Sequence, residues 1–270
     1  MDWIQAIVYG VIQGLTEFLP VSSSGHLNLL PHVFHWSDPG AGFTAVIQLG
    51  TVVATFIYFW NDIKGAFVGW AGSFMGKTAR IAPEARAGWA TFYATLPIIV
   101  IGLTVKHFIK GEARSLTLTA WMLIAFAIVL AVAEKMGKRK RQLEDVKPVD
   151  GLVMGVWQAI ALVPGGSRSG TSISGGLFQG FERDAAARLS FLMSIPAVTA
   201  AGLYELYDAR HELVAAGVGQ TVVATVVSFV VGWWAVSFLM KFVRTQPMYV
   251  FVVYRILLGV AILAFLQHPA

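Results

Sequence analysis

Two short polar stretches carry groups able to do phosphoryl chemistry inside apolar surroundings. Residues 10–26 read GVIQGLTEFLPVSSSGH and residues 155–170 read GVWQAIALVPGGSRSG. In the first, Glu17, Ser22, Ser23 and His26 supply a carboxylate, two hydroxyls and an imidazole. That set suits a hydroxyl or water nucleophile, a base, and a carboxylate that orients the base or holds a divalent cation. Gln13 precedes Glu17 by one helical turn and shares its face. In the second, Ser167, Arg168 and Ser169 follow Gly165 and Gly166. Glycines let backbone N–H groups converge on an anion at a helix N-terminus, and arginine adds a planar cation matched to phosphate. Ser172 offers a further hydroxyl one turn later. Each stretch also has a plain structural reading: a packing hydrogen bond for Glu17, a structural role for His26, and a glycine turn in which Arg168 only neutralises Glu17. Spacing alone does not bring Glu17, the serines and His26 into contact, and two such stretches read as two halves of one site.

The stretches are related to one another. Gly10 and Gln13 match Gly155 and Gln158 at an offset of 145, and Ser24-Gly25 matches Ser169-Gly170 at the same offset. The 270 residues are 56% hydrophobic and 13% charged, which describes a polytopic membrane protein. The chain has no cysteine, so thiolate and disulfide chemistry are excluded. Its net charge of +5 is accounted for by basic loops, so nucleic acid is not an expected partner. Asp2 is the first charge, and a cleaved signal peptide is not expected.

A membrane crossing needs about 17–25 apolar residues. Six stretches qualify: 43–60, 89–106, 116–133, 188–206, 216–240 and 246–266. Four are too short: 3–16, 27–36, 151–163 and 171–181. The short ones flank the polar stretches in pairs, and Pro20, Gly25, Pro164, Gly165 and Gly166 interrupt any continuous helix there. Each pair therefore reads as a re-entrant helical hairpin. The fold class is all-α and polytopic, one membrane domain over 1–270 with six transmembrane helices and two re-entrant hairpins. Repeat 1 covers about 1–134 and repeat 2 about 150–270, joined by a basic cytoplasmic linker at 135–149. Three spans per half make the halves inverted, so the hairpins enter from opposite faces and meet near the midplane. With loop 61–88 inside, fourteen of the twenty Lys and Arg face inward and four outward, leaving Arg168 and Arg255 in the membrane. That bias turns both termini and the first hairpin outward. Arg255 is read chiefly as a support for hairpin carbonyls, with contact to a substrate phosphate as the alternative.

At these residues the chain resembles the bacterial undecaprenyl-diphosphatase family of integral membrane enzymes, over essentially its whole length. QGLTEFLPVSSSGH at 13–26 and PGGSRSGTSISGG at 164–176 are similar to that family's two signatures, and FTAVIQLGTVVA at 43–54 and YRILLG at 254–259 also match. The resemblance implies hydrolysis of undecaprenyl diphosphate to undecaprenyl phosphate and inorganic phosphate. That reaction recycles the lipid carrier of peptidoglycan at the bacterial inner membrane, from a site open to the outer face. In the family, overproduction gives bacitracin resistance. It implies catalytic Glu17, Ser23, His26 and Arg168. Ser22, Gly165, Gly166, Ser167, Ser169, Ser172 and Arg255 would bind substrate, and Gln13 with Glu17 would hold Mg²⁺ or Ca²⁺. Two departures bear on this. Many relatives have Glu where Gln13 stands, which weakens a two-carboxylate cation site, and the usual Thr is Ser172. A polyprenyl-phosphate transporter or flippase is the alternative from a different class, and a homodimer is compatible with either. The type-2 phosphatidic acid phosphatase pattern is excluded because it wants His where Ser174 stands.

Overall fold

Backbone polar groups find no water in an apolar layer, so each segment must satisfy its own hydrogen bonds. The computed structural model describes residues 1–76, 82–110 and 115–267, without the side chains of 106–110 and 215–216. Lys77, Arg80 and Arg114, and the side chains of Lys106 and Lys110, all used above to judge sidedness, lie outside the described residues. The described residues form twelve α-helices and no β-strand. The first half runs α1 (Trp3–Phe18), α2 (Ser23–Phe34), α3 (Gly40–Tyr58), α4 (Trp60–Gly72), α5 (Pro83–Lys110) and α6 (Leu116–Met136). The second repeats the order with α7 (Pro148–Ile160), α8 (Arg168–Phe178), α9 (Arg183–Asp208), α10 (Arg210–Ala216), α11 (Val218–Thr245) and α12 (Tyr249–Gln267). Six of them, α3, α5, α6, α9, α11 and α12, are long and apolar enough to cross a membrane.

Two features differ from the sequence reading. Helices α5, α9 and α11 extend past their apolar runs, because a helix continues into water through its charged ends. Residues 61–88, read as a loop, contain α4. Its 13 residues are too few to cross, none is buried, and it lies along α5. A span-length criterion passes over such a surface helix.

Ion pairs gather the loops of one end. Arg188 meets Asp62 and Asp184, and Arg244 meets Asp184. Arg141 pairs with Asp150, Arg183 pairs with Glu134, and Arg86 donates to the Glu144 carbonyl. At the opposite end the Trp3 ring lies against Gly219, and Gly42 against Ala209. Hairpin α1–α2 therefore starts from one end of the bundle and α7–α8 from the other.

The hairpins are seated reciprocally. α1 packs on α11 of the second half, and α7 packs on α5 of the first. Small residues make both contacts close. A Cβ on Gly10 would meet the Ala224 carbonyl and Val227, and one on Gly155 would sit 2.8 Å from Ala94 Cα. Helices in lipid associate through such backbone approaches, since no hydrophobic gain separates them from their solvent. Replacing Gly155 by Leu is expected to destabilise the protein by about 1–3 kcal/mol or more through overpacking. A fall in thermal midpoint in detergent, absent in Val156→Leu on the exposed side, checks it.

Candidate active site

Each hairpin tip is built around a strained serine. Ser22 and Ser167 hold φ at 74° and 66°, a region L-residues seldom enter. Each accepts the N–H of the residue three later, Gly25 and Gly170, at 3.2 Å, and so caps α2 or α8. Each also faces the hydroxyl two residues on, Ser24 at 3.2 Å and Ser169 at 3.3 Å. Strain of this kind costs of the order of 1–3 kcal/mol and persists only where its surroundings fix it.

The tips touch. Gly165 N donates to Ser24 Oγ at 3.4 Å, and Ser169 Oγ donates to the Leu19 carbonyl at 3.1 Å. Arg255 of α12 lies between them, fully buried. Its guanidinium donates to the carbonyls of Pro20 (3.3 Å), Leu123 (3.3 Å), Gly165 (2.9 Å) and Gly166 (3.0 Å). Gly170 leaves the room for it, since a Cβ there would sit 2.6 Å from Nη1. The support role is the one this geometry carries. Reaching a substrate phosphate would require Arg255 to abandon four carbonyls.

Glu17 is the centre of the site. It is 6% exposed and receives four donors. Oε2 accepts from Gln13 Nε2 at 2.9 Å and Ser23 Oγ at 2.8 Å. Oε1 accepts from Gln48 Nε2 at 2.6 Å and from Arg168 Nη2 in a short ion pair. Arg168 comes from the other half of the chain, at the position equivalent to Ser23. Its Nη1 has no partner. Beside this cluster is a cavity of about 180 Å³, lined by Gln13, Ser23, Ser24, Asn28, Thr44 and Gln48. The Nδ2 of Asn28 is likewise buried without a partner. Unpartnered buried donors of this kind are ready for an anion's oxygens.

His26 is placed differently from the expected Ser–His–carboxylate grouping. Its Nδ1 lies 2.7 Å from the Ser22 carbonyl and so carries the proton. Nε2 then accepts from the Tyr254 hydroxyl at 2.7 Å, and the two rings stack with centroids 5.7 Å apart. Ser23 is one turn before His26 on α2, so the two share a face, but the serine proton goes to Glu17. Three other expectations need correction. Ser172 is fully buried, with its hydroxyl on the Arg168 carbonyl at 2.6 Å and on Ser190 at 2.5 Å, so it faces the helix behind the tip. The N–H of Gly166 closes a turn onto Val163, and the Gly165 N–H faces Ser24, so neither aims at an anion. Ser169, 2% exposed, joins the tips rather than lining the cavity.

A divalent cation does not fit this donor set. Among the described residues no three His, Asp or Glu side chains converge. The one carboxylate present is already neutralised by Arg168 and saturated by three further donors. Gln13 turns its amide N–H toward Glu17 rather than joining it as a second oxygen ligand.

Sequence reasoning missed Gln48, Tyr254 and Asn28 as site residues. Gln48 had a usable signal, since an amide in the middle of a long apolar run must find a partner inside the protein. Tyr254 had none, because a tyrosine in a span reads as packing.

A family model described as bacitracin resistance protein BacA matches residues 6–261. The chain belongs to this family. Among its BacA-family relatives is the undecaprenyl-diphosphatase of Paenarthrobacter aurescens, 47% identical over 97% of this chain and 96% of that protein. The one from Myxococcus xanthus is also 47% identical, covering 99% of this chain and 90% of its own. That of Chloroherpeton thalassium is 45% identical over 99% and 98%.

Arg255→Met is expected to cost more than about 3 kcal/mol, because it removes a donor shared by both tips and leaves buried carbonyls unmatched. Thermal unfolding in detergent checks it, with Arg255→Lys recovering part of the loss. Titration calorimetry with Mg²⁺ or Ca²⁺ alone is expected to show no saturable binding above about millimolar affinity, the range of the weakest oxygen-ligand protein sites.

Proposed function

We propose that this protein hydrolyses undecaprenyl diphosphate to undecaprenyl phosphate and inorganic phosphate, recycling the lipid carrier used in peptidoglycan synthesis. The observation that carries the reading is the junction of the tips. There a carboxylate holds Ser23 from one half and Arg168 from the other, beside a cavity lined by the unpartnered Asn28 amide and inside apolar helices. The names of the relatives agree with it. We place the protein in the bacterial inner membrane with the site open to the outer face. The inward excess of Lys and Arg and the gathering of ion pairs at the opposite end support that orientation.

The terminal phosphate lies over Ser23, with Arg168 Nη1 and Asn28 Nδ2 on its oxygens. An oxygen nucleophile attacks the terminal phosphorus, and the bond from that phosphorus to the bridging oxygen breaks. The lipid monophosphate leaves with the bridging oxygen. Fixed donors stabilise the charge as it spreads over the transferring group. Glu17 holds the serine proton, so the oxygen lone pairs face the cavity. That orientation serves attack by Ser23 itself, after which water must attack the phosphoserine and break its Oγ–P bond to release inorganic phosphate, and it serves direct attack by a water bound to Ser23. Labelled phosphate trapped on the protein would mark the first. His26 meets the Tyr254 hydroxyl through Nε2, so a proton leaving the nucleophile would reach the imidazole only by way of that hydroxyl or after it moves aside. A divalent cation, implied by the family resemblance, would draw its oxygen ligands here from the diphosphate.

Glu17→Ala, His26→Ala and Arg168→Ala are each expected to lower phosphate release in purified protein by about 10²-fold or more. Near wild-type rates in all three would overturn the assignment. Release in detergent, without a sealed bilayer, separates a hydrolase from a transporter. Tyr254→Phe is expected to lower kcat by about tenfold with little change in KM, since it loosens the base without touching the phosphate sites.

A further inference from the structure

We propose that the first isoprene units of the substrate lie in a blind apolar groove between α3 and α5, closed at its far end by α4. The inference rests on the phosphatase reading above and names a subsite for it.

Both α3 and α5 pack on α9, but they do not pack extensively on each other. The gap between them is floored on its inner side by Leu192, Ile195 and Pro196 of α9. On the outer side of the gap lies the head-group cavity, which Ala45 and Gln48 line from α3 and Leu162 from the second tip. A Cβ on Gly102 of α5 would lie 3.7 Å from Leu162, so the second wall also begins there. Further along both walls is a second cavity, of about 380 Å³. The proposed path joins these two cavities. Phe56 lines it from α3, eight residues past Gln48, or about 12 Å at the helical rise. Ile99, Thr95 and Phe92 line it from α5, at the spacing that continues the face of Gly102. Phe67 and Trp70 of α4 shut the end, with Trp70 stacked on Phe92 at 6.5 Å.

The lining is almost wholly apolar. Among the described residues no charged side chain borders the cavity, its two threonine hydroxyls are turned onto carbonyls of their own helix, Thr91 onto Ala87 and Thr95 onto Thr91, and the indole N–H of Trp70 at the closed end is the single unpartnered donor. The geometry also selects which apolar chain enters. A diphosphate held at the tips sits inside the bundle, so its lipid tail must leave sideways, and this groove begins at that point. A bilayer lipid anchored at the ion-pair end would find its entrance covered by α4.

The test uses the full-length protein and two substrates, a C55 prenyl diphosphate and a C5 prenyl diphosphate whose chain is too short to reach Phe56. Thr95→Trp fills the groove. Losing burial of two or three methylenes is expected to raise KM for the C55 substrate by about tenfold or more, with kcat little changed. kcat/KM for the C5 substrate stays at the wild-type value in the same variant, which also shows that it folds. Thr95→Val leaves both substrates unaffected. A C55 diphosphate bearing a diazirine on its third isoprene unit is expected to label α4 or α5. The inference is overturned by an unchanged C55 KM in folded Thr95→Trp, by equal loss with both substrates, or by label confined elsewhere. A tightly retained glycerophospholipid that blocks labelling overturns it too. Failure of the phosphatase reading looks different: the wild-type protein then releases phosphate from neither substrate, while the photolabel still reports on the groove.

Discussion

A guanidinium sealed in an apolar bundle, with no acid against it among the described residues, holds this structure together. Two broken backbones meet in the middle of the protein, and each presents carbonyls that no helix can satisfy. Arg255 answers carbonyls from both tips with one rigid fork. A carbonyl left alone there would cost its full desolvation penalty, and so would the cation. The tips and the arginine are therefore stable only together. A lysine has the charge but not the planar spread of donors that the carbonyls require.

The reactive cluster depends on that joint. Glu17 and Ser23 belong to the first tip and Arg168 to the second, so neither half holds a complete site. The equivalent positions have diverged in chemistry while keeping one backbone. Ser22 and Ser167 share the same strained dihedrals and the same cap, yet the residue that follows is Ser23 in one and Arg168 in the other. The symmetric frame sets the distance between them, and the different side chains make one end a hydroxyl and the other a cation. The carboxylate between them accepts from four donors, two from its own half's amides and one from each of these two side chains.

Much of this was legible in the sequence. Length and apolar content gave the spans, and the offset of 145 gave the paired hairpins. Glu17, Ser23 and Arg168 were readable because charged or hydroxylated groups flanked by proline and glycine cannot be idle in such surroundings. The rest depended on contacts distant in the chain. Which partner His26 takes is decided by the placement of α12, which brings Tyr254 to it across most of the sequence. Ser172 looked like a ligand because helical spacing from Arg168 is known, but which side of α8 faces α9 is not. α4 was invisible because a 13-residue helix lying on the surface satisfies neither the rule for spans nor the rule for loops.

The reciprocal seating of α1 and α7 bears on how the protein is made. α1 leaves the ribosome about 200 residues before the helix it rests on, α11. Until α11 arrives, the first hairpin has a polar tip and a glycine face with nothing against them. The insertion machinery must shelter that hairpin through most of synthesis, or let it dip in only once its seat exists. Biogenesis is then the stage most exposed to error, and a chain stalled before α11 would be a natural target for membrane quality control.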